Sequence, residues 1–222
     1  MTGRDIVRRL PIRSMVVAAG AAAALAIAAP AASAAADDCQ ARGSRTEEAS
    51  RYARVYSVRR VQDDTNVRRW YGCLYSADRR VRLGTVGAGG IHLDSISVRL
   101  AGRHVATAAE YTAATGDALG AVVEVRDLRT GRVGRRFASP SEPNTYDVTD
   151  LELRASGSVA WIARVLGGVP AVTSFEVRVL ERGAPGSRVV DAGPGLAPRS
   201  LALSAGTLFW SHDGAPQSTH LR

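Results

Sequence analysis

Lysine is missing from these 222 residues, and all 29 basic side chains are arginine. Every positive charge is therefore a planar guanidinium, suited to paired hydrogen bonding with carboxylate or phosphate. A lysine-free, alanine-rich chain is also what GC-rich coding produces, so the bias alone names no ligand. Cysteine is scarce, with only Cys39 and Cys73, and no paired histidines accompany them, which excludes a zinc site of ordinary ligand count. The four histidines, His92, His104, His212 and His220, stand in neither H-x-x-x-H nor H-x-H spacing. The G-x-S-x-G motif of serine hydrolases is absent. Gly87, Gly89 and Gly90 precede no helical pattern and make no phosphate fingerprint. After residue 36 no apolar run is long enough to cross a membrane as a helix. No cofactor or metal is implied.

The first 36 residues do hold a long apolar run. Arg4, Arg8, Arg9 and Arg13 form a basic start, and Met15 to Ala29 is uncharged. Pro30 follows, then small-residue sites at Ala32-Ser33-Ala34 or Ala34-Ala35-Ala36. This order is that of a secretory signal peptide over 1–36, leaving an extracytoplasmic domain over 37–222. The alternative is an uncleaved membrane anchor, since Met15 to Ala36 is 22 residues without a charge. Alanine contributes little to insertion, which disfavours that alternative. Asp37 and Asp38 before Cys39 argue against a lipid anchor there. Arg8-Arg9 suggests the twin-arginine route, although Val7 and Pro11 depart from its motif, so the export route stays open. Without the signal, 25 Arg face 20 acids, a net of 25 − 20 = +5. Two cysteines in an oxidising compartment read as one disulfide, stapling the mature N-terminus to the strand around Tyr71 and Leu74.

What the mature chain does have is a repeat of about 50 residues. Ile96–Gly102 leading to Val105, Leu151–Gly157 leading to Val159, and Leu201–Gly206 leading to Leu208 share alternating apolar residues, a glycine turn and an apolar strand. Behind two of these, Glu124–Gly131 matches Glu176–Gly183 at four residues plus the glycine. Val123 and Val125 alternate with Glu124 and Arg126, the period of a half-buried strand. No helical period occurs after residue 50. The expectation is an all-β fold of propeller-like repeats, each of about four short antiparallel strands. It is a small propeller of about four blades or an incomplete one, with units near 51–92, 94–148, 149–198 and 199–222. Three strands each are expected in the first and last units, and a loop over 138–148 around Pro140, Pro143 and Asn144. Over about residues 70–212 the chain resembles the TolB-like and WD-repeat propellers, the TolB-like kind more closely. Ala155–Trp161 looks like their turn-then-strand signature, and Val189–Gly195 like their blade-ending loop. The TolB-like turn aspartate and the Gly-His and Trp-Asp pairs are missing, so the resemblance implies architecture and no function.

Single motifs are weak. Ser211-His212-Asp213 names three triad residues, but neighbours on a strand point to opposite faces, and Gly214 after them marks a turn. His92 with Asp94, and His104 before an apolar strand, read as structural. Asp63-Asp64-Thr65-Asn66 offers calcium-type oxygens but lacks the glycine and distal glutamate of an EF-hand, so it reads as a polar turn. Residues 51–82 are the exception, with nine Arg against three Asp, 9 − 3 = +6, interleaved with Tyr52, Tyr56, Trp70, Tyr71 and Tyr75. Such interleaving suits an anionic or sugar-bearing polymer. Arg59, Arg60, Arg68, Arg69, Trp70, Arg79 and Arg80 are the candidate binding residues, expected to include several arginines on one face near an exposed aromatic. The plain alternative is a solvated strand face with aromatics in the core. The reading is an exported, non-catalytic binding or interaction module. Its partner would be an anionic cell-wall glycopolymer, polysaccharide, lipid headgroup or protein, not nucleic acid. Oligomerisation is left open, and a secreted hydrolase with a site on the blade loops is the alternative.

Overall fold

A computed structural model describes residues 39–222 apart from 63, 78, 88–91, 113–118, 140–144 and 168–171. The proposed signal over 1–36, Asp63, Gly89, Gly90, Pro140, Pro143, Asn144 and the side chains of His92 and Asp94 lie outside what is described. Among the described residues all regular structure is β. Sheet I holds β1 (Ser44–Ala49), β2 (Ala53–Gln62), β3 (Thr65–Leu74) and β4 (Arg79–Val86). Sheet II holds β5 (His92–Ala101), β6 (His104–Thr112), β7 (Leu119–Asp127) and β8 (Val133–Ala138). Sheet III holds β9 (Thr145–Leu153), β10 (Val159–Gly167), β11 (Val172–Leu180) and β12 (Arg188–Gly193). Sheet IV has only β13 (Ala202–Ser204), β14 (Thr207–His212) and β15 (Ala215–His220). Each sheet is an antiparallel meander in chain order.

The repeat follows this layout. Its apolar-turn-apolar motif occupies the first and second strands of sheets II, III and IV, and its Glu-Val-Arg motif the third strands β7 and β11. Sheet I carries a fourth strand, β1, beyond the three expected; its run Ser44–Ala49 is polar and lacks the alternation that marks the others. β9 begins at Thr145, inside the stretch expected to be loop, because Tyr146 and Val148 supply the alternation that the prolines before them obscure.

The sheets stack face to face. Val55, Trp70, Leu74 and Val81 of sheet I meet Ile96, Val98 and Val105 of sheet II, with Leu128 among them. Val123 and Val125 meet Leu151, Val159 and Trp161 across the next interface. Ile162 and Val177 meet Leu208, Trp210 and Leu221 across the last. Middle sheets thus bury both faces, as Val159 to Ala163 show along β10. Gly72 is needed at the first interface, since a Cβ there would run into the buried Leu128. First strands follow one another: β1 lies against β5, β5 against β9, and β9 against β13. No ladder joins sheet IV to sheet I among the described residues, so the propeller-like array is open.

Among the described residues no further sheet covers the outer face of sheet I, and a disulfide lies over it. Cys39 and Cys73 are bonded, Cα atoms 5.5 Å apart, and both are buried. Around them pack Val58 and the stacked rings of Tyr56 and Tyr71, centroids 5.5 Å apart. Arg54 Nη1 donates to the Cys39 carbonyl at 2.7 Å. The bond fits an oxidising compartment. Replacing Cys73 with serine is expected to lower unfolding free energy by about 2–5 kcal/mol, read from urea titration. Reduction of the intact protein should add the mass of two hydrogens.

Candidate functional site

Alternation along β2, β3 and β4 splits the seven candidate residues between two faces. Arg60, Arg69 and Arg80 share the outer face of sheet I with Val58, Tyr71 and the disulfide. Arg59, Arg68, Arg79 and Trp70 share the face turned to sheet II with Val55, Leu74 and Val81. Trp70 is core, 7% exposed, and takes no part in a surface. Arg59 and Arg68 sit directly across from each other, a like-charge pair that a strand tolerates only where water reaches it. On the outer face, Arg80 lies over the Tyr71 ring at 5.5 Å and Arg54 over the Tyr56 ring at 5.1 Å. Arg69 Nη2 donates to Gln62 Oε1 at 2.8 Å, and Arg82 Nη2 to Thr85 Oγ1 at 2.5 Å. Among the described residues, none of the nine arginines of 51–82 is in an ion pair.

Three recesses adjoin at one end of the sheets, where the hairpins β1–β2, β3–β4, β5–β6, β7–β8, β9–β10 and β11–β12 turn. One, about 410 Å³, lies beside the disulfide and is lined by Cys39, Thr46, Arg54 and Tyr75. The next, about 430 Å³, lies between sheets I and II, with Arg51, Tyr52, Tyr75, Arg103 and Arg129 around it. A third, about 180 Å³, lies between sheets II and III and is lined by Arg103, His104, Asp127, Arg135 and Arg182. Tyr52 and Tyr75 are 49% and 38% exposed, and Arg51 lies over the Tyr52 ring at 4.6 Å. Sequence reasoning missed Arg103, Arg129, Arg135 and Arg182, which belong to sheets II and III. The available signal was an arginine beside the glycine in several turns: Gly102-Arg103, Gly131-Arg132 and Arg182-Gly183. His104 is a strut here, its Nδ1 donating to the Ala155 carbonyl across the sheet boundary at 2.9 Å.

Carboxyls cluster between sheets rather than in these recesses. Glu110 on β6 accepts from Ser95 Oγ at 2.6 Å and from the Val148 amide of β9 at 3.1 Å. Burial, and a hydrogen bond shared with Asp147, push its carboxyl up to about 7. Asp147 is held on its other side by Arg164 at 2.7 Å. Glu48 and Glu152 are raised as well, first by burial, with Arg99 opposing the shift in both. Arg99 reaches Asp150 at 3.9 Å and Glu152 at 3.8 Å, so one cation joins acids of the first strands.

Ser211-His212-Asp213 forms no triad. His212 ends β14, and Asp213 and Gly214, both at positive φ, make the two-residue turn into β15. His212 Nδ1 meets the Asp191 carboxylate at 3.0 Å, and Trp210 Nε1 donates to the same group at 2.6 Å. Burial works to raise Asp191, but the hydrogen bonds from Trp210 and His212 outweigh it and hold the carboxyl low. Asp64, at φ 58, likewise belongs to the turn between β2 and β3. Among the described residues no group of three or more His, Cys, Asp or Glu is arranged to hold a metal ion. No protein-family model matches the chain, and no curated protein matches it.

A carboxyl raised on folding stabilises the protein below its unfolded pKa, and that contribution is lost as pH rises through the folded value. Glu110, Glu48 and Glu152 all act in this sense. Thermal stability is therefore expected to fall from pH 5 to pH 8, around the Glu110 value of about 7. Glu110→Gln, which mimics the protonated group, should flatten that fall when melting is followed across the range.

Proposed function

We propose that the chain is an exported, non-catalytic binding module for an anionic polymer of the cell wall or surface. The observation that carries the reading is the uneven pairing of arginine. Sheet I holds nine arginines in 51–82 without an acidic partner among the described residues. In sheets II and III, by contrast, Arg99, Arg103, Arg126, Arg136, Arg164, Arg178 and Arg188 pair with acids, whereas Arg129, Arg135 and Arg182 do not among the described residues. Unpaired like charges on one sheet repel each other, and a polyanion relieves that repulsion while releasing its own counterions. The outer face supports this use, because Arg69, Arg80 and Arg82 lie beside the half-buried Tyr71 ring, with Arg60 farther along the same face. The disulfide and the secretory pattern over 1–36 both support an extracytoplasmic place of action. The stacked four-stranded repeats support kinship with TolB-like and WD-repeat propellers at the level of architecture alone.

The hydrolase reading finds less support. Glu110, raised to about 7, shares a hydrogen bond with Asp147, and carboxyls bonded to each other leave no gap for a substrate between them. Glycosidase pairs stand about 5–9.5 Å apart for that reason.

Binding to an immobilised polyanion should weaken steeply with added salt, because exposed charges are screened over about 8–10 Å at physiological ionic strength. Arg69→Glu with Arg80→Glu, on one face, should abolish it. Arg80 is exposed and adds little stability, while Arg69 is half-buried, so melting followed in parallel separates lost binding from a lost fold. Arg199→Glu, exposed in the loop after β12, should bind as the parent protein does. N-terminal sequencing of exported material should begin between Ala35 and Asp37; a chain that keeps Arg4 and stays with the membrane would overturn export.

A further inference from the structure

We infer that the turn end of sheets I to III is a continuous track for an extended anionic glycan, a chain of sugar units carrying carboxylate or phosphate. The inference rests on the proposed binding role and names its ligand class and path. Its basis is that the three recesses share their walls. Tyr75 borders both the recess beside the disulfide and the one between sheets I and II. Arg103 borders that second recess and the third, between sheets II and III. Among the described residues only Tyr75 and Arg103, which line both sides, stand between one recess and the next.

The described lining is predominantly cationic. Arg54, Arg51, Arg129, Arg103, Arg135 and Arg182 follow in order from the outer face of sheet I to sheet III. Among the described lining residues Asp127 is the sole acid, and it is already engaged, by Arg103 at 3.0 Å and by the Arg129 amide at 2.8 Å. The opposite end differs. Among the described residues its turns present Asp64 and Asp213 rather than arginine. Tyr52 and Tyr75 fix the ligand class further. Both rings are large and exposed, and each stands in or beside the middle recess where Arg51 stacks. An aromatic face flanked by guanidinium groups suits the apolar side of a sugar ring whose substituent is charged. A bare inorganic polyanion has nothing to place on the tyrosines.

Length is the distinguishing property. Packed sheets lie about 10 Å apart, so a path from the outer face of sheet I to sheet III covers about 20 Å or more. A single sugar fills one recess, whereas a chain engages all three and gains from their linkage.

The test uses the mature protein and two probes, polygalacturonate and a glycosylated polyol-phosphate polymer, each as a length series beginning at the single unit. The track predicts affinity rising with length for at least one probe. It also predicts that Arg103→Gln with Arg135→Gln weakens the longest fragment about tenfold or more while scarcely changing the shortest. Tyr75→Ser should weaken all lengths, and melting curves identify any variant that fails to fold. If the single unit binds as tightly as the chain, the track is wrong. It is wrong too if the Arg103 and Arg135 double variant matches the parent while Arg69→Glu with Arg80→Glu loses binding; the broader reading then survives on the outer face. If neither probe binds the parent protein at any length, both proposals fail.

Discussion

A β-sheet with apolar residues on both faces is stable only between two neighbours, and this constraint shapes the whole described chain. β6 and β10 show it most directly: Val105 packs toward sheet I while Ala106 and Ala108 pack toward sheet III, and Trp161 and Ile162 face opposite ways. Such an array must be finished at each end. At the start, Cys39 is pinned to Cys73 over the Tyr56–Tyr71 stack, and Arg54 closes the gap. At the other end the outward residues of sheet IV are small or polar, Thr207, Ser211 and Ser218, with Phe209 the exception at 40% exposed. One end is stapled, the other solvated.

The same meander sorts charge. In every sheet the odd-to-even hairpins turn at one end, so residues beside their glycines are gathered there whatever their distance in sequence. Arg51, Arg103 and Arg129 are brought to one recess although the first and last are separated by 129 − 51 = 78 positions in the chain. Acids follow the opposite course. Glu110, Glu48 and Glu152 lie where sheets meet, and burial raises all three. The surface end is left cationic because the negative charge is used, and partly neutralised, inside the joints.

Much of the fold was legible in the sequence, because an apolar period of two and glycine turns act locally. The repeats at Ile96, Leu151 and Leu201, the all-β class and the cysteine pairing all rest on such short-range patterns. β1 was not legible, since its six residues Ser-Arg-Thr-Glu-Glu-Ala owe their strand to pairing with β2 rather than to their own pattern. The candidate residues were half legible. Composition located the arginines of 51–82, but which face each takes depends on register, and a bulge opposite Trp70 and Tyr71 resets it on β4.

By itself, then, the sequence determined the period, the turns, the charge of each turn and the one covalent staple, all of which depend on neighbours in the chain. Only the tertiary structure decided that Trp70 is core, that Arg60, Arg69 and Arg80 share a face, and that Arg103 and Arg135 continue a surface begun by Arg51 and Tyr75. Those outcomes depend on which sheet lies against which, and no local pattern carries that information.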